Sequence, residues 1–157
     1  MYNMTIKKRK LQINQLESRV ELLSPLTKLP NPPTGWIRAL RLALGMSMQQ
    51  LANKLGISKQ GVRNIEIREQ EESITIKSLK AAARAMDMEL VYGFVPREGS
   101  LDAYLDSKAQ ALAQKVVLRT STTMRLEDQE VSKERLQKAI HERTILIKNE
   151  IPKALWD

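Results

Sequence analysis

The sequence predicts a mainly α-helical protein with one short β-strand. Aromatic residues make up only 4 % of the 157 residues. Leu, Ile, Val, Met and Ala must therefore build the core, which suits packed helices better than a β-sandwich. Apolar residues recur at helical spacing over most of the chain, and N-cap and Gly signals separate the consecutive helical patterns. The length allows one compact domain, or a small domain with helical extensions.

The composition argues against several classes of function. The chain has no Cys, which excludes disulfides and thiolate metal sites, and its single His141 leaves no His cluster for a metal and no His-based triad. No apolar run approaches the roughly 18 residues of a membrane span, and the N-terminus lacks a signal-peptide core. We find no nucleophile paired with a base and no Gly-rich phosphate loop. We therefore expect a soluble, cytoplasmic protein that is not an enzyme and needs no metal or cofactor.

The formal net charge of +8 is unevenly distributed. Residues 1–46 carry a balance of +6, residues 47–97 a balance of +2, and residues 98–157 a balance of zero. An excess of Lys and Arg favours polyanionic partners such as DNA. The run "KKRK" at Lys7–Lys10 either adds phosphate contacts or forms a solvated basic face. The neutral C-terminal third is typical of a protein-binding or dimerising element.

We divide the chain into three segments. Residues 1–34 hold a basic amphipathic helix and an extended, Pro-rich linker, residues 35–97 hold a helical domain with a trailing strand, and residues 98–157 form a C-terminal helical, partner-binding region. The inner stripe predicted for the first helix consists of Ile6, Leu11 or Ile13, Leu16, Val20 and Leu23.

The trailing strand is "ELVYGFVP", residues 89–96, in which apolar and aromatic residues alternate. A lone strand cannot satisfy its backbone, so we expect it to pair, with its own copy in a dimer as the candidate partner. In the C-terminal region, Ser100 is expected to cap a helix that runs to about Arg119. Ser132 then opens a last helix that Pro152 ends.

Residues 35–87 contain four short helical patterns, and the second and third are joined by a tight turn. Ser47 followed by Gln50 is a capping-box signature for the second helix. Gly56 permits the left-handed turn that ends this helix, Ile57 is expected to plug the corner, and Ser58 is positioned to cap the third helix. The predicted core positions of these helices are Leu51, Ala52, Leu55, Val62, Ile65, Leu79, Ala82 or Ala83, and Met86.

The stretch "LANKLGISKQGVRNIE" resembles the lambda-repressor-like (Cro/Xre) helix-turn-helix of phage repressors and bacterial antitoxins. The resemblance implies that the third helix lies in the major groove of operator DNA, and that Arg41 forms a structural ion pair with Glu66. Family members often hold a phosphate with a Gln where this chain has Met48, so that contact would pass to a neighbour. The implied DNA-binding residues are Ser58, Lys59, Gln60, Arg63, Asn64, Ser47 and Gln49.

A wider set of features resembles the mobile mystery protein A family. The matching pieces are the basic first helix, "PPTGWIRALRLALGMS", "ELVYGFVPR", "TMRLEDQ" and the terminal "LWD". Proteins of this kind look like antitoxin-type regulators encoded beside a Fic-domain protein, an enzyme that uses ATP to transfer AMP onto target hydroxyls. The resemblance implies a Fic-domain toxin as the second partner.

The segment "TMRLED" is the candidate inhibitory element. Helices that restrain Fic enzymes carry (S/T)-x-x-x-E-(G/N), and Thr123 and Glu127 stand at the matching positions, with Asp128 in place of Gly or Asn. The Glu of such a helix pairs with an Arg in the Fic nucleotide pocket. The alternative is a turn between helices whose acids cap the positive N-terminus of the last helix.

These observations lead to one functional hypothesis and one alternative. The hypothesis is a homodimeric DNA-binding antitoxin that represses a toxin–antitoxin operon and inhibits a Fic-domain AMP-transferase. The alternative is a helix-turn-helix repressor only, whose C-terminal helices serve dimerisation. Trp156 either anchors in a partner's groove or docks onto the protein's own helices.

Overall fold

The computed structural model describes residues 2–126 and 132–157, and the predicted mainly α-helical fold is confirmed. Within these residues the α-helices are α1 (Tyr2–Leu23), α2 (Trp36–Ala43), α3 (Met48–Leu55), α4 (Lys59–Gln70), α5 (Ile76–Ala85), α6 (Leu101–Leu126) and α7 (Lys133–Glu150), with short 3-10 helices at Ser24–Lys28 and Lys153–Trp156. The chain divides into two compact units. Residues 28–93 form one, and residues 1–27 with 94–157 form the other.

The predicted strand is absent from the single chain. Residues 88–96 have no regular secondary structure, and no residue in the two described stretches belongs to a β-strand. The prediction was wrong for an isolated chain because a strand requires a second strand beside it, and the described backbone supplies only helices and turns. The linker prediction also needs correction, since Ser24–Lys28 forms a 3-10 turn in which the Thr27 hydroxyl donates to the Ser24 carbonyl at 2.8 Å.

The unit of residues 28–93 closes α2 to α5 around one apolar core. Each of the four helices contributes at least one buried side chain, and the residue that follows α5 contributes another. The buried residues are Ile37, Leu51, Ala52, Val62, Ala82 and Met86. Leu55, Ile65 and Leu79 pack around them while remaining partly exposed. The predicted core positions all lie in or against this core, with Ala82 rather than Ala83 buried, because each short helix has only one face that can meet the other three. Ile37 of α2 was not among them.

The start of α2 depends on an acidic side chain from α4. Gly35 precedes α2 with φ of 82° and has no side chain to cap the helix. The Glu69 carboxylate accepts hydrogen bonds from the backbone N–H groups of Trp36 at 2.5 Å and Ile37 at 3.1 Å. A Cβ on residue 35 would lie 2.8 Å from the Glu69 side chain. Glycine is needed here for both its backbone angle and its lack of volume.

The second unit is built on the packing of α6 against α7. Its buried core consists of Leu105, Ala109, Ala113, Ile147 and Leu155. The expected caps are present, since Ser100 accepts from the Ala103 N–H at 3.0 Å and Ser132 accepts from the Arg135 N–H at 3.3 Å. Helix α6 continues to Leu126, beyond the predicted end near Arg119, and α7 ends two residues before Pro152.

Helix α1 packs on this unit through a narrower stripe than predicted. Val20 is buried and Ile6 and Ile13 are half-buried, so the inner positions are seven residues apart. Leu11 and Leu16 are more than half exposed, which corrects their assignment to the stripe. Leu11 lies on the opposite side of α1 from this row, whereas Leu16 and the half-buried Leu23 lie at its edge.

Polar contacts join the elements of the same unit. Glu17 of α1 accepts from the Leu101 N–H at 2.8 Å at the start of α6. Lys148 of α7 contacts Asp102 at 3.0 Å and Asp106 at 3.5 Å. Burial lowers the pKa of Lys148, but the hydrogen bonds and charges of the two aspartates outweigh it and leave the pKa raised.

Trp156 docks onto the protein's own helix α6, and its anchoring in a partner's groove remains a prediction. Its ring stacks on Tyr104 of α6 with centroids 5.9 Å apart, and the side chain remains 53 % exposed.

Candidate nucleic-acid interface

The sequence between α3 and α4 folds as a helix-turn-helix. Ser47 and Gln50 form the predicted capping box, in which the Gln50 N–H donates to the Ser47 hydroxyl at 3.1 Å and the Ser47 N–H donates to Gln50 Oε1 at 2.8 Å. Gly56 ends α3 in the left-handed conformation, with φ of 66°. An L-residue with a Cβ is strained at this angle, so Gly56 permits the sharp change of direction.

Ile57 does not plug the corner as completely as predicted. Its side chain is 41 % exposed. It does lie against the first turn of α4, where a Cβ on Gly61 would be 3.2 Å from Ile57 Cδ1. Ile57 therefore covers one side of the turn while its other side remains at the surface.

Helix α4 has an inner row and an outer row of side chains. Val62 and Glu66 are buried and Ile65 is half-buried, so these positions face the other helices of the unit. The predicted base-contacting residues are all exposed and occupy the opposite side of the first two turns: Lys59, Gln60, Arg63 and Asn64. The helical period separates the two rows, because residues three and four apart share a face.

The Arg41–Glu66 pair anchors α4 to α2. Arg41 Nε donates to Glu66 Oε1 at 2.5 Å and Arg41 Nη2 donates to Oε2 at 3.1 Å, a bidentate arrangement. A third guanidinium nitrogen, Nη1, donates to the Met46 carbonyl at 3.2 Å. Both charged side chains are about 95 % buried. The hydrogen bond that Arg41 donates to Glu66 raises the pKa of Arg41 and outweighs the opposing effect of burial.

The charge on the outer surface is positive because the acids of α4 point inward or lie at its end. Residues 36–65 contain five Lys or Arg residues and no Asp or Glu. Of the acids that follow, Glu66 is bound to Arg41 and Glu69 caps α2, while Glu71 and Glu72 lie beyond the last turn of α4. A phosphate backbone approaching the start of α4 therefore meets cationic, amide and hydroxyl side chains and no acidic residue of the stretch 36–65.

Two amide pairs lie along the exposed faces of α3 and α4. Gln60 Nε2 donates to Asn64 Oδ1 at 3.1 Å, and Gln49 Nε2 donates to Asn53 Oδ1 at 2.9 Å. Both pairs are four residues apart, the spacing at which helical side chains meet. Asn53 was not among the predicted site residues, although its spacing from Gln49 was a signal that could have found it. Each pair restricts the rotamers of two side chains before any partner arrives.

The two predicted serine contacts already have structural roles. The Ser58 hydroxyl oxygen accepts from the Gly61 N–H at 3.0 Å, as the Ser47 oxygen accepts from Gln50. Accepting a hydrogen bond leaves the hydroxyl hydrogen available as a donor, so each serine can cap its helix and also reach an anion. Both residues are exposed.

The predicted Fic-inhibitory residues are only partly described. Thr123 lies in α6, is exposed, and donates its hydroxyl to the Arg119 carbonyl at 3.1 Å. Glu127 and Asp128 lie outside the described residues. The role assigned to Thr123 and Glu127 therefore remains a prediction.

In the described stretches, no three His, Asp or Glu residues lie close enough together to hold a metal ion. None of the described helices is both long enough and apolar enough to cross a membrane.

The comparison with protein families identifies this part of the chain. The Helix-turn-helix family HTH_3 matches residues 37–92, which run from the first turn of α2 to just beyond α5. Searches of curated proteins and of solved structures give no match. The family match covers the helix-turn-helix unit alone, so the resemblance to the mobile mystery protein A family stays a prediction. Residues 37–92 are a Cro/Xre-like helix-turn-helix domain, and this supports a DNA-binding transcriptional regulator.

Proposed function

We propose that this protein is a DNA-binding antitoxin that represses its own operon as a homodimer and inhibits a Fic-domain AMP-transferase, without being an enzyme itself. The observation that carries the DNA-binding part is the outer row of α4. Lys59, Gln60, Arg63 and Asn64 are all exposed, and no acidic residue shares their side of the first two turns.

We assign the base contacts to α4 because its outer side chains have the appropriate donors and acceptors. Arg63 can bind O6 and N7 of a guanine with two hydrogen bonds, and Gln60 or Asn64 can match N6 and N7 of an adenine. In the Gln60–Asn64 pair, Gln60 Oε1 and Asn64 Nδ2 remain available for a base edge. Neither Lys59 nor Arg63 forms an ion pair within the described residues, so both can contact DNA without first losing a partner.

We assign the phosphate contacts to the starts of α3 and α4. Ser47 and Ser58 each stand at a helix N-terminus, where the backbone N–H groups favour an anion. Gln49 is exposed in the first turn of α3 and replaces the Gln that the family resemblance places one residue earlier. These contacts would position α4 without reading sequence.

The DNA-binding proposal is tested by measuring the affinity of Arg63→Ala and Gln60→Ala for the promoter fragment upstream of the gene. Each change should cost about 1–3 kcal/mol on the operator and relax the base preference at one position. Arg143→Ala, an exposed Arg in α7, removes the same charge and serves as the matched control. If Arg63→Ala and Gln60→Ala both bind like Arg143→Ala, α4 is not the reading helix.

The antitoxin part of the proposal rests on the resemblance of "TMRLED" to inhibitory Fic helices and on the neutral charge of residues 98–157. Helix α6 includes Thr123 and extends to Leu126, so the first part of the segment is helical. We propose that the Glu127 carboxylate binds an Arg in the Fic nucleotide pocket. The carboxylate would form a charge-assisted hydrogen bond with the Arg that a γ-phosphate would otherwise contact. Its negative charge would also repel that phosphate.

The antitoxin proposal is tested by co-expressing the Fic-domain protein encoded by the neighbouring gene with Glu127→Gly. We expect release of toxicity and of self-AMPylation. Glu130→Gly removes the same group three residues further on and should leave inhibition intact. If Glu127→Gly still inhibits, the assigned carboxylate is wrong. If the neighbouring gene's product does not copurify with this chain, the protein is a repressor only.

A further inference from the structure

We propose that residues 89–97, "ELVYGFVPR", form a two-stranded antiparallel ribbon with the same residues of a second copy, centred on Gly93. This proposal rests on the homodimer in the proposed function and specifies its contact surface. In a single chain the segment has no regular structure. A second copy would supply the neighbouring strand that the isolated chain lacks.

The segment exposes large side chains at the surface, although the Lys80 ammonium lies over the Tyr92 ring at 5.6 Å from its centroid. Phe94 is 95 % exposed, Val91 is 68 % exposed and Tyr92 is 62 % exposed. Large apolar residues that are consecutive or nearly so, and that are exposed together, mark interaction surfaces more often than single exposed residues do. At the ends of the segment, Glu89 and Arg97 are both exposed, and neither forms an ion pair in the part of the chain that the structure describes.

The occupant is indicated by the chemical symmetry of the sequence about Gly93. In an antiparallel pairing with Gly93 opposite Gly93 of the partner, each residue faces one of matching chemistry in the other copy. The resulting pairs are Glu89 with Arg97, Leu90 with Pro96, Val91 with Val95, and Tyr92 with Phe94, each formed twice. Opposite charges and aromatic pairs are among the cross-strand combinations that stabilise antiparallel sheets.

Neighbouring registers lose this complementarity. Centring the pairing on Tyr92 places Glu89 opposite Val95, and centring it on Phe94 places Arg97 opposite Val91. Each shift therefore sets a charge against an apolar side chain. The register centred on Gly93 also lets the two backbones cross where neither has a side chain.

Pro96 selects the hydrogen-bonding pattern within that register. Proline has no N–H, so Pro96 must belong to a non-hydrogen-bonded pair, whose backbone groups point away from the partner strand. Residues alternate, so Gly93, Val91 and Val95 would then exchange the interstrand hydrogen bonds. The Pro96 carbonyl already accepts the Gly99 N–H at 2.9 Å. That bond fits an outward-facing carbonyl and needs no change on pairing.

The register is tested by disulfide formation between two single-cysteine variants, because the natural chain has no cysteine. Tyr92→Cys carries an affinity tag and Phe94→Cys does not. Residues 92 and 94 of opposite copies form a non-hydrogen-bonded pair with Cα atoms about 4.5 Å apart, within disulfide range. Residues 92 and 92, or 94 and 94, lie on diagonals of roughly 7–8 Å, too far apart for a disulfide. One Tyr92–Phe94 pair survives in the mixed dimer.

We expect the oxidised mixture to give several-fold more disulfide-linked dimer than either variant alone. Self-linking of Tyr92→Cys would indicate a pairing centred on residue 92 or a parallel one, and self-linking of Phe94→Cys would indicate a pairing centred on residue 94 or a parallel one. Either result overturns the proposed register. A dimer in light scattering with no cross-link in any mixture shows that the dimer forms through other residues.

A charge reversal gives an independent test without cysteine. Glu89→Arg and Arg97→Glu should each raise the dimer dissociation constant roughly tenfold, because each places like charges opposite each other at both ends of the ribbon. The double variant Glu89→Arg with Arg97→Glu should restore it, and failure to restore it counts against the pairing. Both tests are made without DNA, so a failed ribbon is distinguishable from failed operator binding by α4.

Discussion

Replacing Arg41 by Met should destabilise the helix-turn-helix unit severely, and replacing Arg41 and Glu66 together should not. The single change removes a guanidinium that is 4 % exposed and leaves a carboxylate that is 5 % exposed without its counter-charge. Breaking a buried ion pair in this way typically costs about 3–5 kcal/mol, whereas replacing both members by apolar residues is often neutral or stabilising. We therefore expect Arg41→Met with Glu66→Leu to lie within about 1 kcal/mol of the parent.

The expected loss is large compared with the total free energy of unfolding of so small a unit. A unit of the length of residues 28–93 typically has a free energy of unfolding of about 3–10 kcal/mol. A loss of about 3–5 kcal/mol would remove roughly a third or more of that stability, so Arg41→Met should unfold at a markedly lower urea concentration than the parent. The Met46 carbonyl would also lose its hydrogen bond from Arg41 Nη1. Operator binding should fall with stability in the single variant and recover in the double variant.

Each unit contains one tryptophan, which allows the unfolding of each to be followed separately. In a Trp156→Phe background, Trp36 at the start of α2 is the only indole and reports on residues 28–93 during urea unfolding. The phenyl ring retains an aromatic contact with Tyr104. Arg38→Met is the matched control, because Arg38 is an exposed Arg of the same helix. A loss below about 1 kcal/mol in Arg41→Met, or a double variant as unstable as the single one, would refute the buried-pair reasoning.

Three further changes test contacts described above. Gly35→Ala should cost at least about 1 kcal/mol in urea unfolding, because the positive φ and the clash with Glu69 both oppose a Cβ, and an unchanged midpoint would show that the site relaxes freely. Ser58→Ala should cost about 1 kcal/mol through loss of the α4 cap, with Ser58→Gly costing less, and equal losses would exclude the capping role. Lys148→Met should lower thermal stability by less than about 1 kcal/mol at pH 7, because Asp102 is largely exposed to solvent. The pKa of Lys148 is raised, so its contribution is fully present below the unfolded lysine value of about 10.4 and is lost as pH rises through the folded value. The difference between wild type and Lys148→Met should therefore shrink at strongly alkaline pH, and a difference that grows there would contradict the sign.

The local part of the fold was predictable because its determinants are adjacent in sequence. The capping box at Ser47, the left-handed Gly56 and the cap at Ser58 all depend on contacts within four residues. The strand prediction was wrong for the single chain because a strand depends on a neighbour that is not adjacent in sequence. Alternation in residues 89–96 describes how side chains would lie in a sheet, but a strand forms only when a second strand lies beside it, and the described part of the single chain has none there.

At the candidate interface too, features set by neighbouring residues were predictable and contacts between distant residues were not. Helical periodicity alone was enough to identify the exposed row of Lys59, Gln60, Arg63 and Asn64. It did not reveal that Glu69 caps α2, a contact that joins residues 33 positions apart. Asn53 was also missed, although its four-residue spacing from Gln49 places both amides on one face of α3.

The two rows of α4 have separate tasks, and this has a consequence for how the protein could change its target. Glu66 and Glu69 hold the helix to α2 from the inside, while the residues that would meet bases are not needed for that attachment. New side chains on the outer row could therefore redirect the protein to a different promoter without first destabilising the scaffold. For the same reason, the outer row of α4 is suited to substitutions designed to change the DNA sequence that the protein binds.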